Sequence, residues 1–499
     1  MQSVAILFSS FLVIWVLHHF LKKPRSAAGD GNRPPGPVPA PVVGSLFKLG
    51  DAPHRSLADL AAKYGPVMSV RLGQVTSVVV SSAAVAKEVL QKNDQTFAGR
   101  SVVDAVRVLD HENASMVWLQ PGQHWRRMRA LCNACIFSAQ PLDAGQGLRR
   151  RKVEELLAHV GKRALEGEGV DIGKISFVTT LNLISNTVFS GDMVDIESET
   201  AQEFKDLVSA ISEGAGIPNI VDYFPILRPL DPQGIRRKMR SDFEKLHEIF
   251  NKQIEGRKTS RATPGYRRRG DFLDALLDQK ENGAELTNLQ MNSTLMDLFV
   301  AGSETSSDTV EWAMSELLRN PEIMAEARSE LDEVIGAGKQ VEESDIPRLR
   351  YLQAVVKETV RLHPAAPFLP HRAERDGEIS GYAVPKHSSV IVNVWAIGRD
   401  DEVWTDPSGF IPERFLESKV DYRGQHFELI PFGAGRRICP GLPLAHRLVH
   451  LMLASLLHSF AWELPAGMWP DDLDMREKFG LTLRKSIPLV AVPLKRDNP

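Results

Sequence analysis

Cysteine is scarce: 499 residues hold three, Cys132, Cys135 and Cys439. An odd, sparse set argues against a disulfide framework and fits a reducing compartment. A surplus of charge is missing too. Sixty Lys and Arg stand against 63 Asp and Glu, a formal charge of −3, which leaves no bulk electrostatic basis for binding nucleic acid. No break in composition divides the chain after residue 45, and 43% hydrophobic with 25% charged residues is ordinary for a folded chain. Cys132-Asn133-Ala134-Cys135 has redox-pair spacing, but it lies in a helical segment with no thioredoxin-like strand before it. It reads as two packing cysteines.

Positive charge is also absent ahead of the apolar run Val4 to Leu21, whereas Lys22, Lys23 and Arg25 follow it. At about 1.5 Å per residue the run reaches about 27 Å, enough for a thin bilayer. Charges on that side place the rest of the chain in the cytosol. A cleaved signal peptide is the alternative, with Ser26-Ala27-Ala28 as its small residues; the missing basic start and the few cysteines weigh against it. In the cytosolic topology the sequons at Asn113 and Asn292 stay unglycosylated. The expected divisions are an anchor at 1–22, a basic and proline-rich hinge at 23–45 and one catalytic domain at 46–499. Five prolines between Arg33 and Gly44 make that hinge a stiff, extended spacer.

What the chain does have is a glycine-punctuated loop, Pro431-Phe432-Gly433-Ala434-Gly435-Arg436-Arg437-Ile438-Cys439-Pro440-Gly441, ahead of an apolar helix expected over Leu442 to Ser459. A helix N-terminus favours a thiolate. Gly433, Gly435 and Gly441 let backbone N–H groups approach the sulfur, and Arg437 is placed to pair with an anionic group of a cofactor. One thiolate with no second ligand in the loop suits a single axial bond to haem iron.

Farther back, Thr287 and Gln290 form a capping-box signature and Asn320-Pro321 a stop, which predicts a helix of about 32 residues, about 48 Å long. Midway stands Ala301-Gly302-Ser303-Glu304-Thr305-Ser306. Gly302 weakens the helix there and Thr305 can divert its hydrogen bonding, together opening a groove in the helix. Lys357-Glu358-Thr359-Val360-Arg361 gives an E-x-x-R pair, and Phe410 to Phe415 contains Pro-Glu-Arg-Phe. Trp125 and Arg129 share a helix face. Val67 to Leu72 and Val75 to Ser81 read as a hairpin, and Ile379 to Trp395 as another around Pro385-Lys386-His387. His387 reads as a turn residue and not an iron ligand. Gly256 is expected to close a helix, and basic Arg257 to Gly270 to form a solvated loop, with contact to lipid head groups as the alternative.

These motifs, in this order from the hinge to the C-terminus, resemble the cytochrome P-450 family. The wording of the Cys439 loop and of Phe299 to Ser306 is similar to plant microsomal, A-type enzymes of the geraniol-8-hydroxylase-like group. The resemblance implies a mainly helical fold with a small β-rich region, preceded by one transmembrane helix. It implies haem b on Cys439 in a loop that includes Phe432, Gly435 and Gly441, with Ala301 and Gly302 beside the haem. Trp125, Arg129, Arg372 and Arg437 would meet its propionates. Thr305 would hold the activated dioxygen and a donor water, with Glu304 relaying protons. Glu358, Arg361 and Arg414 would form a structural triad. Val103, Val106, Ala365, Phe368 and Phe479 would line the pocket, with Phe97 to Gln120 as the substrate loop, although core packing explains each apolar residue almost as well. The activity implied is hydroxylation of a monoterpenoid or diterpenoid, with O2 and with electrons from NADPH through cytochrome P-450 reductase at the endoplasmic reticulum membrane. Arg126 and Arg127, which point elsewhere on the helix than Trp125 and Arg129, are candidates for docking that reductase, or ordinary solvated charges. The rival functions are a reductase-independent isomerase or dehydratase, an oxidase of a phenolic or fatty acid, and a haem sensor.

Overall fold

The computed structural model describes residues 32–281, 286–336 and 338–496. The expected anchor lies outside them, and among the described residues no helix is long and apolar enough to cross a membrane.

Eleven longer helices frame the site: α1 (Pro53–Tyr64), α2 (Gln123–Cys132), α3 (Gln146–Glu166), α4 (Ile172–Phe189), α5 (Glu199–Gly216), α6 (Ile235–Arg261), α7 (Phe272–Glu281), α8 (Asn288–Arg319), α9 (Pro321–Ile335), α10 (Arg350–Leu362) and α11 (Leu442–Ser459). The strands are short: β1 (Val67–Leu72), β2 (Val75–Val80), β3 (Val170–Asp171), β4 (Phe368–Arg372), β5 (Gly377–Ile379), β6 (Tyr382–Val384), β7 (Ser389–Asn393), β8 (Phe460–Glu463), β9 (Glu477–Phe479), β10 (Leu483–Lys485) and β11 (Val490–Lys495).

α8 is the axis. Thr287 Oγ1 accepts from the Gln290 N–H (3.2 Å) while Gln290 Oε1 accepts from the Thr287 N–H (2.9 Å), so the capping box is formed. The helix then runs 32 residues without a break. α4, α10 and α11 pack around it. One apolar cluster joins its first half to α2, α4, α5, α6 and α7; a second joins its other half to α3, α9, α10 and α11.

The main sheet has the order β1-β2-β7-β4, with β2 and β7 parallel. This corrects the expected hairpin from Ile379 to Trp395. β5 and β6 pair with each other across Ser380-Gly381, both at positive φ, and β7 leaves them to pair with β2 and β4. The burial of Val390 and Val392 on that larger sheet explains the choice. His387 is a turn residue with φ +70°.

Two other expectations change. The proline-rich stretch is not a free spacer where it is described: Ser69 donates to the Pro35 carbonyl (2.7 Å), Ser45 to Arg71 (2.7 Å) and Gly73 to Val43 (3.1 Å), which satisfies the open edge of β1. Gly256 does not end α6, which continues to Arg261 because Arg257 is buried against Asp271 (2.7 Å) and Asp274 (3.0 Å). Arg268 pairs with Asp278 (2.6 Å), so this basic segment is partly neutralised by α7.

Candidate active site

The Cys439 loop is a tight turn pinned by the Cys439 N–H, which donates to the Phe432 carbonyl (2.9 Å). Gly433 and Gly435 have φ of +71° and +64°, a conformation that side chains resist. The glycines do different work from that expected. A Cβ on Gly435 would stand 1.9 Å from the Leu90 carbonyl oxygen, so this glycine serves packing of the loop against residues 88–92. Gly441 is the one beside the sulfur: its Cβ would lie 3.7 Å from Sγ. Protein crowds the Cys439 thiol, yet the residue remains exposed. Burial raises the thiol pKa, opposed by the Gly441 and Leu442 N–H groups and by the Arg129 charge. Those three are what a thiolate ligand needs around it.

The central helix supplies the facing wall. Thr305, Thr309, Val360, Ala365, Phe432 and Ala445 share one cleft, which brings the helix motif and the cysteine loop together. Ala301 is exposed in the middle of an otherwise buried helix. Thr305 Oγ1 donates to the Ala301 carbonyl (2.7 Å). The expected groove is absent, however, since the helix stays intact; Gly302 instead admits Ile184 of α4, whose Cδ1 lies 2.7 Å from where a Cβ would be. Glu304 departs further. It is buried, and its carboxylate accepts from Ser209 Oγ (3.0 Å) and Thr482 Oγ1 (2.9 Å). Adjacent helical residues point about 100° apart, so Glu304 looks toward α5 while Thr305 looks into the cleft.

Cations crowd the other rim. Arg437 lies over the Trp125 ring (4.5 Å) and donates to the Ala98 (2.8 Å) and Leu119 (2.5 Å) carbonyls. Arg129 also lies over Trp125 (5.2 Å) and donates to the Ile438 carbonyl (2.8 Å). Arg100 joins them, donating to the Pro370 and Val117 carbonyls. Burial and mutual repulsion lower the pKa of Arg437 to about 9 and that of Arg100 to about 10. Among the described residues none of the three forms an ion pair; the nearby carboxylate, Glu374, is held by Arg372 (3.1 Å). Enclosed guanidiniums without counter-ions call for an anionic ligand. Arg372 is therefore occupied rather than free for a propionate, and the Trp125 N–H donates to the Met116 carbonyl (3.2 Å). Nothing local in the sequence marks Arg100. It follows an aperiodic stretch, and only the bridges of Ala98 and Gly99 to Arg372 bring it to the rim.

Behind the loop, fully buried Glu358 accepts from Arg361 (2.6 and 2.7 Å), from Arg414 (3.0 Å) and from the Ile411 N–H (2.8 Å). Arg361 also donates to the Gly398, Pro407 and Gly409 carbonyls. The triad thus staples α10 to the segment leading to Cys439.

Of the apolar candidates, Val106 is buried and Val103 packs against the cluster containing Phe299. Ala365 lines the cleft. Phe368 meets Phe479 edge to face (5.9 Å), but Phe479 stacks on His54 (5.5 Å). Leu481, two residues on, packs against the same apolar cluster as Val103 and Val300. β9 ends at Phe479 and the chain bends through residues 480–482, so Leu481 does not share the direction of Phe479. Arg126 and Arg127 are exposed, and Cys132 and Cys135 are free thiols.

An exposed cysteine sulfur flanked by helix-start N–H groups and three guanidiniums without counter-ions fit one kind of group, an iron porphyrin with two carboxylates: this is a haem-thiolate site. The cytochrome P-450 family model matches residues 34–489, and the chain belongs to that family. It is 53% identical over 467 residues to the geraniol 8-hydroxylase of Swertia mussotii, covering 93% of this chain and 94% of the relative. Against the geraniol 8-hydroxylase of Catharanthus roseus it is 53% identical over 464 residues, 93% and 94% of the two chains. Ferruginol synthase of Isodon rubescens is 44% identical over 501 residues, 99% of this chain and 100% of its own. The protein is a monooxygenase of the geraniol-8-hydroxylase-like group.

Proposed function

We propose that this enzyme hydroxylates a hydrophobic monoterpenoid or diterpenoid with O2, using NADPH electrons delivered by cytochrome P-450 reductase. The similarity to geraniol 8-hydroxylases along 93% of the chain carries this reading. The apolar walls around Val103, Val106 and Leu481 agree with it. Residues 1–22 anchor the chain in the endoplasmic reticulum membrane, residues 23–45 orient it, and residues 46–499 form the catalytic domain facing the cytosol. Arg126 and Arg127 belong to the surface the reductase meets.

Cys439 holds the haem through its sulfur, and Arg100, Arg129 and Arg437 pair with the haem carboxylates. The haem, when bound, supplies the iron at which O2 is reduced and one oxygen atom is passed to the substrate. Thr305 exchanges its bond to the Ala301 carbonyl for a donor water and holds a proton at Oγ1. Glu304 takes part by leaving Ser209 and Thr482. Apolar side chains exclude bulk water.

Microsomes containing the protein and a reductase, given NADPH and a panel of monoterpenols and diterpene olefins, should yield a product carrying one atom from labelled O2. Conversion that proceeds without the reductase would establish an isomerase or dehydratase instead. Thr305→Ala should consume NADPH while forming less product.

A further inference from the structure

Of the buried carboxylates on α8 that the chemistry described so far leaves unused, Asp297 is the one that grips the 97–120 segment. Asp297 lies four and eight residues before Ala301 and Thr305, on the same helix face. Its side chain is 5% exposed. Its two oxygens accept from residues of the 97–120 segment: Oδ1 from Ser115 Oγ (2.7 Å) and Oδ2 from the Met116 N–H (2.6 Å). His111 of the same segment reaches the same helix, with Nδ1 against Ser293 Oγ (3.1 Å) and Nε2 3.8 Å from Asp297 Oδ1. Its ring sits edge-on to Phe243 of α6 (5.0 Å). Burial pushes the Asp297 carboxyl up to about 7 against the pull of its donors, so a charge is held here at a cost.

The gripped residues stand between two functional halves. On the N-terminal side Val103, Val106 and Val108 face the apolar cluster. Leu109 and Asp110, with φ of +53° and +56°, form a strained turn between them and His111. On the other side the backbone serves the cationic rim: the Met116 carbonyl accepts from Trp125 (3.2 Å), Val117 from Arg100 (3.2 Å) and Leu119 from Arg437 (2.5 Å).

We propose that Asp297, backed by His111, is a positioning residue that fixes the 97–120 segment over the cleft and sets both substrate orientation and the placement of the cationic rim. The proposal rests on the reading of that segment as the substrate-covering loop. It binds no reacting atom. Its action passes through Ser115 and Met116.

The test uses the haem-loaded, full-length enzyme and three variants. Asp297→Asn can still accept from the Met116 N–H through its carbonyl and donate its amide to Ser115 Oγ. Asp297→Leu keeps the bulk and loses both acceptors. Ser115→Ala removes one donor and leaves the helix untouched, so it remains informative if Asp297→Leu does not fold. Hydrogen exchange should quicken about tenfold at the Met116 to Leu119 amides in Asp297→Leu and less in Ser115→Ala, with α8 amides unchanged. Asp297→Asn should stay near the parent. With the substrate identified by the panel, Asp297→Leu should raise KM and spread oxidation over additional carbons while the reduced, carbon-monoxide-treated spectrum is retained. Unchanged loop exchange in Asp297→Leu, or in Ser115→Ala should the first not fold, would overturn the proposal. So would an Asp297→Asn protein that behaves like Asp297→Leu. Failure of every terpenoid to react would refute the substrate reading and leave the exchange result to decide this one.

Discussion

Replacing Glu358 by alanine removes the acceptor for two arginines at once. Arg361 is fully buried and Arg414 nearly so, with side-chain exposures of 0% and 11%. Their remaining partners are carbonyls of residues 398–409, which satisfy N–H groups without neutralising charge. Breaking a buried pair from one side costs about 3–5 kcal/mol. With an unfolding entropy of about 2.1 cal/mol/K per residue, a chain of this length loses about 1 °C per kcal/mol, so melting should fall by about 3–5 °C. Calorimetry at a fixed scan rate reads the shift. Hydrogen exchange should also show residues 398–415 opening before α8. The paired replacement Glu358→Leu with Arg361→Met should recover most of the loss, because it strands only Arg414. If Glu358→Ala melted within a degree of the parent with those amides still protected, the staple would not be carrying the segment that leads to Cys439.

Arg437→Met should weaken haem retention about tenfold or more, since it removes a cation that has no carboxylate partner of its own; an unchanged rate of haem transfer to apomyoglobin would refute this. Gly435→Ala should abolish haem incorporation because of its 1.9 Å clash, whereas Gly441→Ala should retain the haem and shift its reduction potential. Burial lowers the pKa of His450 to about 3, so the imidazole is neutral in the folded protein and protonates near 6.5 once unfolded. Its share of stability is therefore present above about pH 6.5 and is lost as pH falls toward the folded value. Relative to the parent, His450→Gln should gain about 1.4 kcal/mol per pH unit across that window in denaturant titrations.

Much of this arrangement is legible in the sequence where a local rule dominates. The capping box and Asn320-Pro321 bound α8, and Pro440-Gly441 marks the start of α11, because hydrogen bonds three or four residues apart settle such ends. The Glu358 to Arg361 spacing means little alone, but the Pro-Glu-Arg-Phe element identifies its third partner. What escapes is set by contacts across the chain. β7 chooses β2 and β4 over β6 because the larger sheet buries more of it. α6 passes Gly256 because Arg257 finds Asp271 and Asp274. Glu304 turns to Ser209 and Thr482, which lie 95 and 178 residues away in sequence. Arg100 and Asp297 have no local signature at all; their meaning comes from the fold that brings Met116, Trp125 and Arg437 beside them.

The central claim is that Cys439 binds iron, and its ligation spectrum is the direct test. Reduced and treated with carbon monoxide, the parent protein should show the red-displaced Soret band of thiolate-bound haem. Cys132→Ala and Cys135→Ala should keep that band and Cys439→Ser should lose it. A parent without the band, or a Cys439→Ser protein that retains it, would contradict the account.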